Sequence, residues 1–334
     1  MKKNITNNFG LVDLSQPRLG TKVIYKTDDF FGDVNRIINL NKPIWKDGVY
    51  DQNGKWMDGW ETRRKRTEGH DYMILSLGKP GVISKIDIDT SFFNGNQPNT
   101  ASIEGCYSEK NILNEEIQWQ PILKKSKIKA NSNNLFRINN KKKFNYIKLN
   151  IFPDGGVARL RLYGKISIDK LYFNQNSLIE LSSLLNGSSI IAYNNEHFGK
   201  AENILAPGRA FNMGDGWETR RRRTKGYDWI IFKFGIPGYI SDISIDTSHF
   251  KGNYPDKFSI QGNYIQENKN ISKTKIINDS TNWKYIINNE KLFPDKEHLY
   301  NDLIISRKIN YIKLNIFPDG GIARINIFGK INKK

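Results

Sequence analysis

The chain contains two polar sequence blocks twice, and this internal duplication limits the folds open to it more than any other feature. Residues 58–66 (DGWETRRKR) return as residues 215–223 (DGWETRRRR). Residues 146–156 (YIKLNIFPDGG) return unchanged as residues 311–321. Identity of this extent within one chain indicates a tandem duplication of a whole structural unit. Because the repeated residues include many that are polar, charged or glycine, packing alone does not explain them, and they indicate a site.

The spacing of the blocks predicts two homologous domains, covering residues 1–170 and 171–334. The distance between equivalent residues changes in steps along the chain, so the insertions lie between blocks, as in loops that vary on a shared scaffold. Each repeat is too long for a solenoid unit and has the length of a common domain.

Short segments with strand character predict an all-β fold in each repeat. Residues 72–77, 82–88 and 146–151 are rich in strand-forming residues, and the last two alternate apolar and polar side chains. Turn signals separate such segments, for example Gly-Lys-Pro-Gly at residues 78–81 and Pro-Asp-Gly-Gly at residues 153–156. Many short strands at turn spacing predict an antiparallel β-sandwich or jelly roll.

One segment predicts a helix instead. Ser177 and Glu180 have the spacing of a capping box, in which both side chains satisfy free backbone donors. Leu181 and Leu184 continue an apolar face, and Gly187 is a suitable residue to end the helix. We expect this helix at the start of the second repeat.

Composition favours a reducing compartment and gives no strong sign of a polyanion partner. Cys106 is the single cysteine, so no intrachain disulfide can form, and it is expected to be buried; cytoplasmic localisation follows. No apolar run is long enough to cross a membrane, and the N-terminus lacks an apolar signal core. The net charge of +18 suggests a polyanion such as nucleic acid. However, the Lys/Asn-rich runs differ between repeats, which favours loop composition and no nucleic-acid or membrane partner.

The repeated Trp-Glu-Thr-Arg block places an acid close to a guanidinium. If the block is a strand, Glu61 and Arg63 point to the same face, as do Glu218 and Arg220. In a cleft, the arginine could bind a carboxylate through two hydrogen bonds while the glutamate accepts from N–H groups. A buried Arg–Glu pair that only braces the sheet is equally compatible with these residues.

Further repeated acids are candidates for catalysis or binding. Asp89 and Asp246 follow strands beside a glycine-containing loop, where a carboxylate could act as a general base. The alternative, favoured for any one of them, is an Asx-turn cap. The same choice between site and turn applies to the other repeated acids, namely Asp71, Asp228, Asp154 and Asp319.

The second repeat has basic residues where the first has neutral ones. His249 and Lys251 replace Phe92 and Asn94, and His298 stands where the first repeat has Asn134. An imidazole there could transfer a proton, although a surface histidine is as good a reading. No group of residues has zinc-ligand spacing, so no cofactor is predicted, and a divalent metal stays open.

At this level of detail the chain resembles the allantoicase family. The resemblance rests on MDGWETRR (57–64), GHD (69–71), DTSFF (89–93), MGDGWETR (213–220), GYDW (226–229), TSHFKGN (247–253) and both LNIFPDGG runs. It covers nearly the whole chain, in the family's order and with its duplication. It implies two galactose-binding-like jelly-roll domains and hydrolysis of allantoate to ureidoglycolate and urea in purine breakdown.

The substrate that this resemblance implies suggests residue roles. Allantoate carries one carboxylate and two ureido groups on a single carbon, so arginine suits the first and acids suit the N–H groups. The candidate catalytic residues are Asp246 or Asp228 as base, His249 as acid, and Glu218. The candidate substrate-binding residues are Arg220, Arg221, Lys251, Glu61, Arg63, Arg64, Asp71, Asp89, Asp154 and Asp319.

Two other functions fit the same residues. A jelly roll could bind small ligands or carbohydrates without catalysis, because fold alone does not decide function. A hydrolase could also prefer a related ureido acid. The sequence does not determine which repeat turns over substrate. It also does not determine whether the chain forms a homo-oligomer.

Overall fold

The two repeats form two separate units. The computed structural model describes residues 9–110, 117–169, 177–266, 271–304 and 307–332. One unit is Asp13–Ser167, and the other is Ile168–Lys334 with Met1–Val12. The predicted domain boundary between residues 170 and 171 lies outside the described residues.

Among its described residues, the first unit consists of strands and the 3-10 helices Pro17–Leu19 and Val34–Ile38. Its strands are β1 Val12–Asp13, which spans the boundary between the units, β2 Lys22–Lys26, β3 Tyr50–Asp51, β4 Gly54–Lys55, β5 Trp60–Glu61, β6 Asp71–Asp89, β7 Thr100–Cys106, β8 Gln120–Lys127, β9 Asn133–Arg137, β10 Phe144–Phe152, β11 Gly156–Val157 and β12 Arg159–Ile166.

In the part that the structure describes, the second unit repeats this order without an equivalent of the β3–β4 hairpin. Its strands are β13 Ile179–Glu180, β14 Ser189–Tyr193, β15 Trp217–Glu218, β16 Asp228–Asp246, β17 Lys257–Asn263, β18 Lys284–Lys291, β19 Glu297–Tyr300, β20 Lys308–Phe317, β21 Gly321–Ile322 and β22 Arg324–Lys330. The short helix α1 spans Lys273–Asp279. The 3-10 helices are Leu184–Asn186, Ala201–Leu205, Met213–Asp215 and Ser280–Asn282.

A 19-residue strand joins the two layers of each unit. The first part of β6 pairs with β2 and β10, and its last part pairs with β12 and β9, all antiparallel. The strand β16 does the same with β14 and β20 and then with β22 and β19. The side chains between the layers are apolar and buried. This arrangement confirms the predicted all-β tandem duplication of a jelly-roll β-sandwich.

The turn predicted at residues 78–81 is wrong, because β6 continues through it. The pairing of β6 with β10 shifts there, from Ser76 opposite Tyr146 to Gly81 opposite Phe144. A side chain at Gly78 would lie 1.9 Å from the carbonyl oxygen of Leu19. The glycines and proline therefore mark a close approach inside a long strand and not a reversal of the chain.

The helix predicted from Ser177 to Gly187 is also wrong. Ile179 and Glu180 form β13 against β22, and the Glu180 side chain accepts a hydrogen bond from Asn326 rather than from a helix end. Only the 3-10 helix Leu184–Asn186 follows, ended by Gly187 at a φ of 80°. Pairing with a neighbouring strand overrode the local capping pattern.

A buried ion pair in each unit attaches the Asp-Gly-Trp-Glu segment to the sheet. The Arg159 Nη2 atom lies 2.7 Å from Asp58 Oδ2, and Arg324 Nη2 lies 2.7 Å from Asp215 Oδ2. Arg159 also donates to the Asp58 carbonyl at 2.8 Å and to the Asn41 carbonyl at 2.9 Å. Both guanidinium groups thus lose water but keep charged and neutral acceptors, as buried arginines require.

Two further findings concern membrane-spanning helices and the single cysteine. No helix among the described residues is long and apolar enough to cross a membrane. Cys106 is buried as expected, and burial raises the pKa of its thiol to about 11. The thiol is therefore a packing group with little thiolate character at neutral pH.

The Arg159→Met variant should be about 3–5 kcal/mol less stable than the wild type, because it leaves the Asp58 carboxylate buried without its partner. Urea denaturation measures this loss. Arg137→Met, at an exposed arginine of β9, is the matched control and should change stability by less than about 0.5 kcal/mol. Equal effects of the two substitutions would refute the role given to the ion pair.

The Asp87→Asn variant should stabilise the protein at alkaline pH. Burial and the neighbouring Asp89 raise the pKa of Asp87 to about 6, above its ordinary value of 3.8. The folded state therefore holds a proton more tightly, and wild-type stability falls as the pH rises through 6. The variant should gain up to about 3 kcal/mol at pH 8 and almost nothing at pH 4.

Denaturation curves at both pH values measure this difference, with the exposed Asp47→Asn as the control for loss of one negative charge. The second unit has Ser244 at the position of Asp87, so this site accepts a neutral residue. A gain that is the same at acid and alkaline pH would contradict the assignment.

Candidate functional site

Each unit contains a cavity, and the two cavities are built from equivalent residues. The first-repeat cavity measures about 310 Å³ and is lined by Phe31, Glu61, Thr62, Arg64, Gly95, Asn96, Gln97, Asn99, Pro153, Asp154 and Gly155. The second-repeat cavity measures about 640 Å³ and is lined by Phe198, Glu218, Thr219, Arg221, Arg222, Gly252, Asn253, Tyr254, Asp256, Pro318, Asp319 and Gly320. The duplicated sequence blocks therefore meet at one place in each sandwich.

The repeated threonine connects the segments that form the cavity. Thr62 receives the Gly155 N–H on its hydroxyl at 3.1 Å and donates its own N–H to the Gly155 carbonyl at 3.2 Å. In the second unit, Thr219 and Gly320 make the same two bonds, each at 3.1 Å. This reciprocal pair fixes the Pro-Asp-Gly-Gly loop against the strand that carries the glutamate.

The first glycine after the repeated aspartate is required by its conformation and by a close contact. Gly155 has a φ of 135° and Gly320 a φ of 138°, which L side chains rarely adopt. A side chain at Gly320 would lie 2.7 Å from the Asn253 carbonyl oxygen and from the Pro255 nitrogen. The glycine therefore allows the loop to pack directly on the segment that carries Asn253.

The glutamate of each block points into its cavity and is held by an asparagine. Asn96 donates to Glu61 Oε1 at 2.7 Å, and Asn253 donates to Glu218 Oε1 at 2.5 Å. Burial raises the pKa of Glu61, and the Asn96 hydrogen bond opposes that rise. The asparagine thus orients a partly buried acid at the cavity wall through one of its two carboxylate oxygens.

The arginines that line the two cavities at equivalent positions are Arg64 and Arg221. The expectation that Glu61 and Arg63 share a face is wrong. The strand β5 ends at Glu61, so side chains do not continue to alternate beyond it. Arg63 lies outside the cavity and donates to Asp28 at 2.8 Å. Arg220 likewise lies outside and contacts His197 Nδ1 at 3.3 Å. The partners of both arginines lie outside the repeated motif, which explains why the sequence could not show these contacts.

The repeated aspartates beside these loops form ion pairs and turn contacts. Lys65 donates from Nζ to Asp71 at 2.8 Å and from its backbone to Asp154 Oδ2 at 2.8 Å. Arg222 makes the equivalent contacts with Asp228 and Asp319. Asp154 and Asp319 line the cavities, whereas Asp71 and Asp228 lie buried behind the basic residue that they bind.

The Arg222–Asp228 pair keeps unused hydrogen-bonding capacity. Asp228 Oδ1 accepts from Arg222 and, at 2.9 Å, from Asn194. Within the described part of the chain, Asp228 Oδ2 and Arg222 Nε are buried atoms with no hydrogen-bond partner. Arg222 lines the second-repeat cavity, so this pair is close to any ligand there.

Asp89 and Asp246 cap turns and do not line the cavities. Asp89 Oδ1 accepts from the Ser91 N–H at 2.8 Å, and Asp246 Oδ1 accepts from the Ser248 N–H at 2.8 Å. These contacts match the Asx-turn alternative that the sequence left open.

The histidines and Lys251 lie outside the cavity lining. His249 binds the Ala210 carbonyl through Nε2 at 2.8 Å, and Lys251 is exposed beside lining residue Gly252. His298 accepts from the Phe293 N–H at 2.9 Å and contacts the Ile245 carbonyl at 3.1 Å. Burial lowers the pKa of His298, so its neutral form performs this bridging.

Sequence reasoning missed several lining residues. Thr62, Asn96 and their equivalents recur at corresponding positions, but their types are common in turns, so recurrence was the only signal. Asp256 carried no such signal, since the first repeat has Asn99 there. Among residues that the structure describes, no three His, Cys, Asp or Glu side chains converge to hold a metal ion.

Comparison with known proteins identifies relatives along the whole chain. The family model for the allantoicase repeat matches residues 12–167 and 179–332. A probable allantoicase of Pseudomonas fluorescens is 47% identical over 323 residues, covering 96% of this chain and 97% of the relative. Another probable allantoicase, from Photobacterium profundum, is 45% identical, with 95% of this chain and 96% of the relative covered.

Solved structures agree. The crystal structure of allantoicase from Saccharomyces cerevisiae superimposes with a TM-score of 0.82 at 34% identity, and the match covers 98% of this chain and 96% of that one. This similarity extends over both repeats.

The Gly320→Ala variant should lose about 1–3 kcal/mol of stability and distort the second-repeat cavity, because alanine resists this φ and would contact the backbone of residues 253–255. Chemical denaturation measures the loss. Gly252→Ala is the matched control, since a side chain there meets no atom within 4 Å. If both variants were equally stable, the close packing of this loop would not be required.

Proposed function

The chain belongs to the allantoicase family, and from this membership we propose that it hydrolyses allantoate to ureidoglycolate and urea. The observation that carries the proposal is the family match over both repeats, together with a polar cavity formed by the duplicated blocks in each. A volume of about 310–640 Å³ suits a small polar ligand.

The lining residues match the chemical groups of allantoate. In each cavity a guanidinium, from Arg64 or Arg221, is available for the substrate carboxylate, which arginine binds through paired hydrogen bonds. Glu61 and Glu218 each keep a carboxylate oxygen for ureido N–H groups. The amide donors Asn96 and Asn253 are held beside them at the cavity wall.

The reaction requires two proton transfers, one from the attacking water to the protein and one to the departing nitrogen. The oxygen of water forms a bond to the central carbon while the bond from that carbon to one ureido nitrogen breaks. A carboxylate takes a proton from the water, and the departing nitrogen receives a proton, so urea leaves uncharged. Acids in the lining can perform both transfers, whereas Asp246 and His249 would have to act from outside it.

The partner that we propose is this small anion and not nucleic acid or a membrane. The cavity residues repeat, whereas the Lys/Asn-rich runs that dominate the net charge of +18 do not. A reducing, cytoplasmic compartment agrees with a single, buried cysteine.

The purified protein should release urea from allantoate, and the double variant Arg64→Met/Arg221→Met should lose at least about 10–100-fold in kcat/KM. The reason is the loss of a charge-assisted contact worth about 1.5–3 kcal/mol. Urea release at varied allantoate concentration measures both constants, with and without a chelator to determine whether a metal is needed.

The matched control replaces the neighbouring arginines outside the cavities, as Arg63→Met/Arg220→Met, and should retain most of the activity. A larger loss in this control than in the cavity variant would transfer the substrate contact to Arg63 and Arg220. A protein that binds allantoate but releases no urea would be a binding module, and hydrolysis of another ureido acid in its place would change the substrate.

A further inference from the structure

We propose that the two cavities have different functions: the second-repeat cavity hydrolyses allantoate, and the first-repeat cavity binds the same ureide anion without hydrolysing it. This inference rests on the proposed function. It assigns Asp256 as the catalytic base and leaves the first repeat as a second binding site.

The shared residues suit both cavities to the same ligand. Each contains the glutamate–asparagine pair, the threonine, the lining arginine and the Pro-Asp-Gly turn. The hydrogen bonds that orient them are equal in kind and similar in length, as for Asn96 to Glu61 and Asn253 to Glu218. The groups available for a carboxylate and for ureido N–H groups are therefore duplicated.

Two of the differences lie on one wall. Asn99 and Gln97 of the first-repeat cavity are replaced by Asp256 and Tyr254 in the second. The backbone positions are equivalent, because the Asn99 carbonyl accepts from the Ile128 N–H at 3.1 Å and the Asp256 carbonyl accepts from the Leu292 N–H at 3.0 Å. A carboxylate and a carboxamide thus stand at the same point of two matching sites.

Asp256 is the carboxylate best placed to accept a proton. Each of the other lining acids already has one carboxylate oxygen in a hydrogen bond: Glu218 binds Asn253, and Asp319 accepts from the Arg222 N–H at 2.8 Å. Glu61 and Asp154 are engaged in the same way in the first repeat. Within the described ranges, the Asp256 side chain makes no hydrogen bond, and it is exposed at the cavity wall.

The carboxylate closes the proton balance of the hydrolysis. Asp256 takes a proton from water as the water oxygen bonds to the central carbon. The electron pair of the broken carbon–nitrogen bond stays on the ureido nitrogen, which receives the same proton from Asp256. Asp256 returns to its initial state, and urea and ureidoglycolate are formed. The carboxamide of Asn99 cannot accept this proton near neutral pH.

The cavities also differ in volume and charge. The second measures about 640 Å³ and the first about 310 Å³, so the second has more room for a water molecule beside the ligand. Arg222 adds a further guanidinium to the second cavity, whereas Lys65, which pairs with Asp71, does not line the first.

The test is the Asp256→Asn variant of the full chain, which makes the second cavity resemble the first at this position. We expect kcat for urea release to fall at least about 100-fold, as for loss of a general base, while KM changes by less than about threefold. Two equally active cavities would limit the fall to about twofold, and that result would overturn the assignment. Asp256→Glu, which keeps a carboxylate, should retain more activity than Asp256→Asn.

Two further measurements complete the test. Denaturation curves of both variants should match the wild type. If Asp256→Asn is unfolded, Asp256→Glu becomes the test, and its kcat should then lie partly below that of the wild type. Calorimetry of Asp256→Asn with allantoate should show two molecules bound per chain. One or none would overturn the binding role of the first-repeat cavity. Absence of urea release by the wild type would instead refute the proposed function itself.

Discussion

The ion pairs of Arg159 with Asp58 and of Arg324 with Asp215 are the contacts on which the rest of each unit depends. Each guanidinium is buried, and each holds the segment before the Trp-Glu strand against the edge of the sandwich. Removing two charges from water is costly, so such a pair persists only where further acceptors surround it. The neighbouring carbonyl groups supply those acceptors. The anchored segment in turn determines the position of the cavity glutamate.

A series of short-range contacts then determines the shape of the cavity. The threonine after the glutamate bonds the Pro-Asp-Gly-Gly loop in both directions, and the first glycine lets that loop pack on the asparagine segment. The asparagine orients the glutamate in turn. Because every constraint is a hydrogen bond or a steric contact of a repeated residue, duplication reproduced the whole arrangement. The two linings diverge at the wall that carries Asn99 or Asp256 and at Arg222, which lines the second cavity alone.

Local patterns failed where distant strands intervened. The capping box at Ser177 and Glu180 did not form a helix, because β22 offered backbone partners to residues 179–180. The Gly-Lys-Pro-Gly segment did not reverse the chain, because it lies where one strand passes between two layers. Alternation beyond Glu61 failed since the strand ends there and Asp28 captures Arg63. In each case the local pattern was overridden by contacts with residues that are distant in the sequence.

The sequence alone determined the duplication, the all-β class, the family resemblance and the set of polar blocks from which the site is made, because these depend on residue identity and periodicity. It also limited the candidates to a set of acids and arginines with His249 and Lys251. Only the tertiary structure decided which of them converge: Glu61, Arg64 and Asp154 meet at one cavity, while Arg63, Asp89 and Asp71 turn to other partners. The reason is physical, since side-chain direction at the end of a two-residue strand is set by contacts across the fold and not by neighbours in the chain.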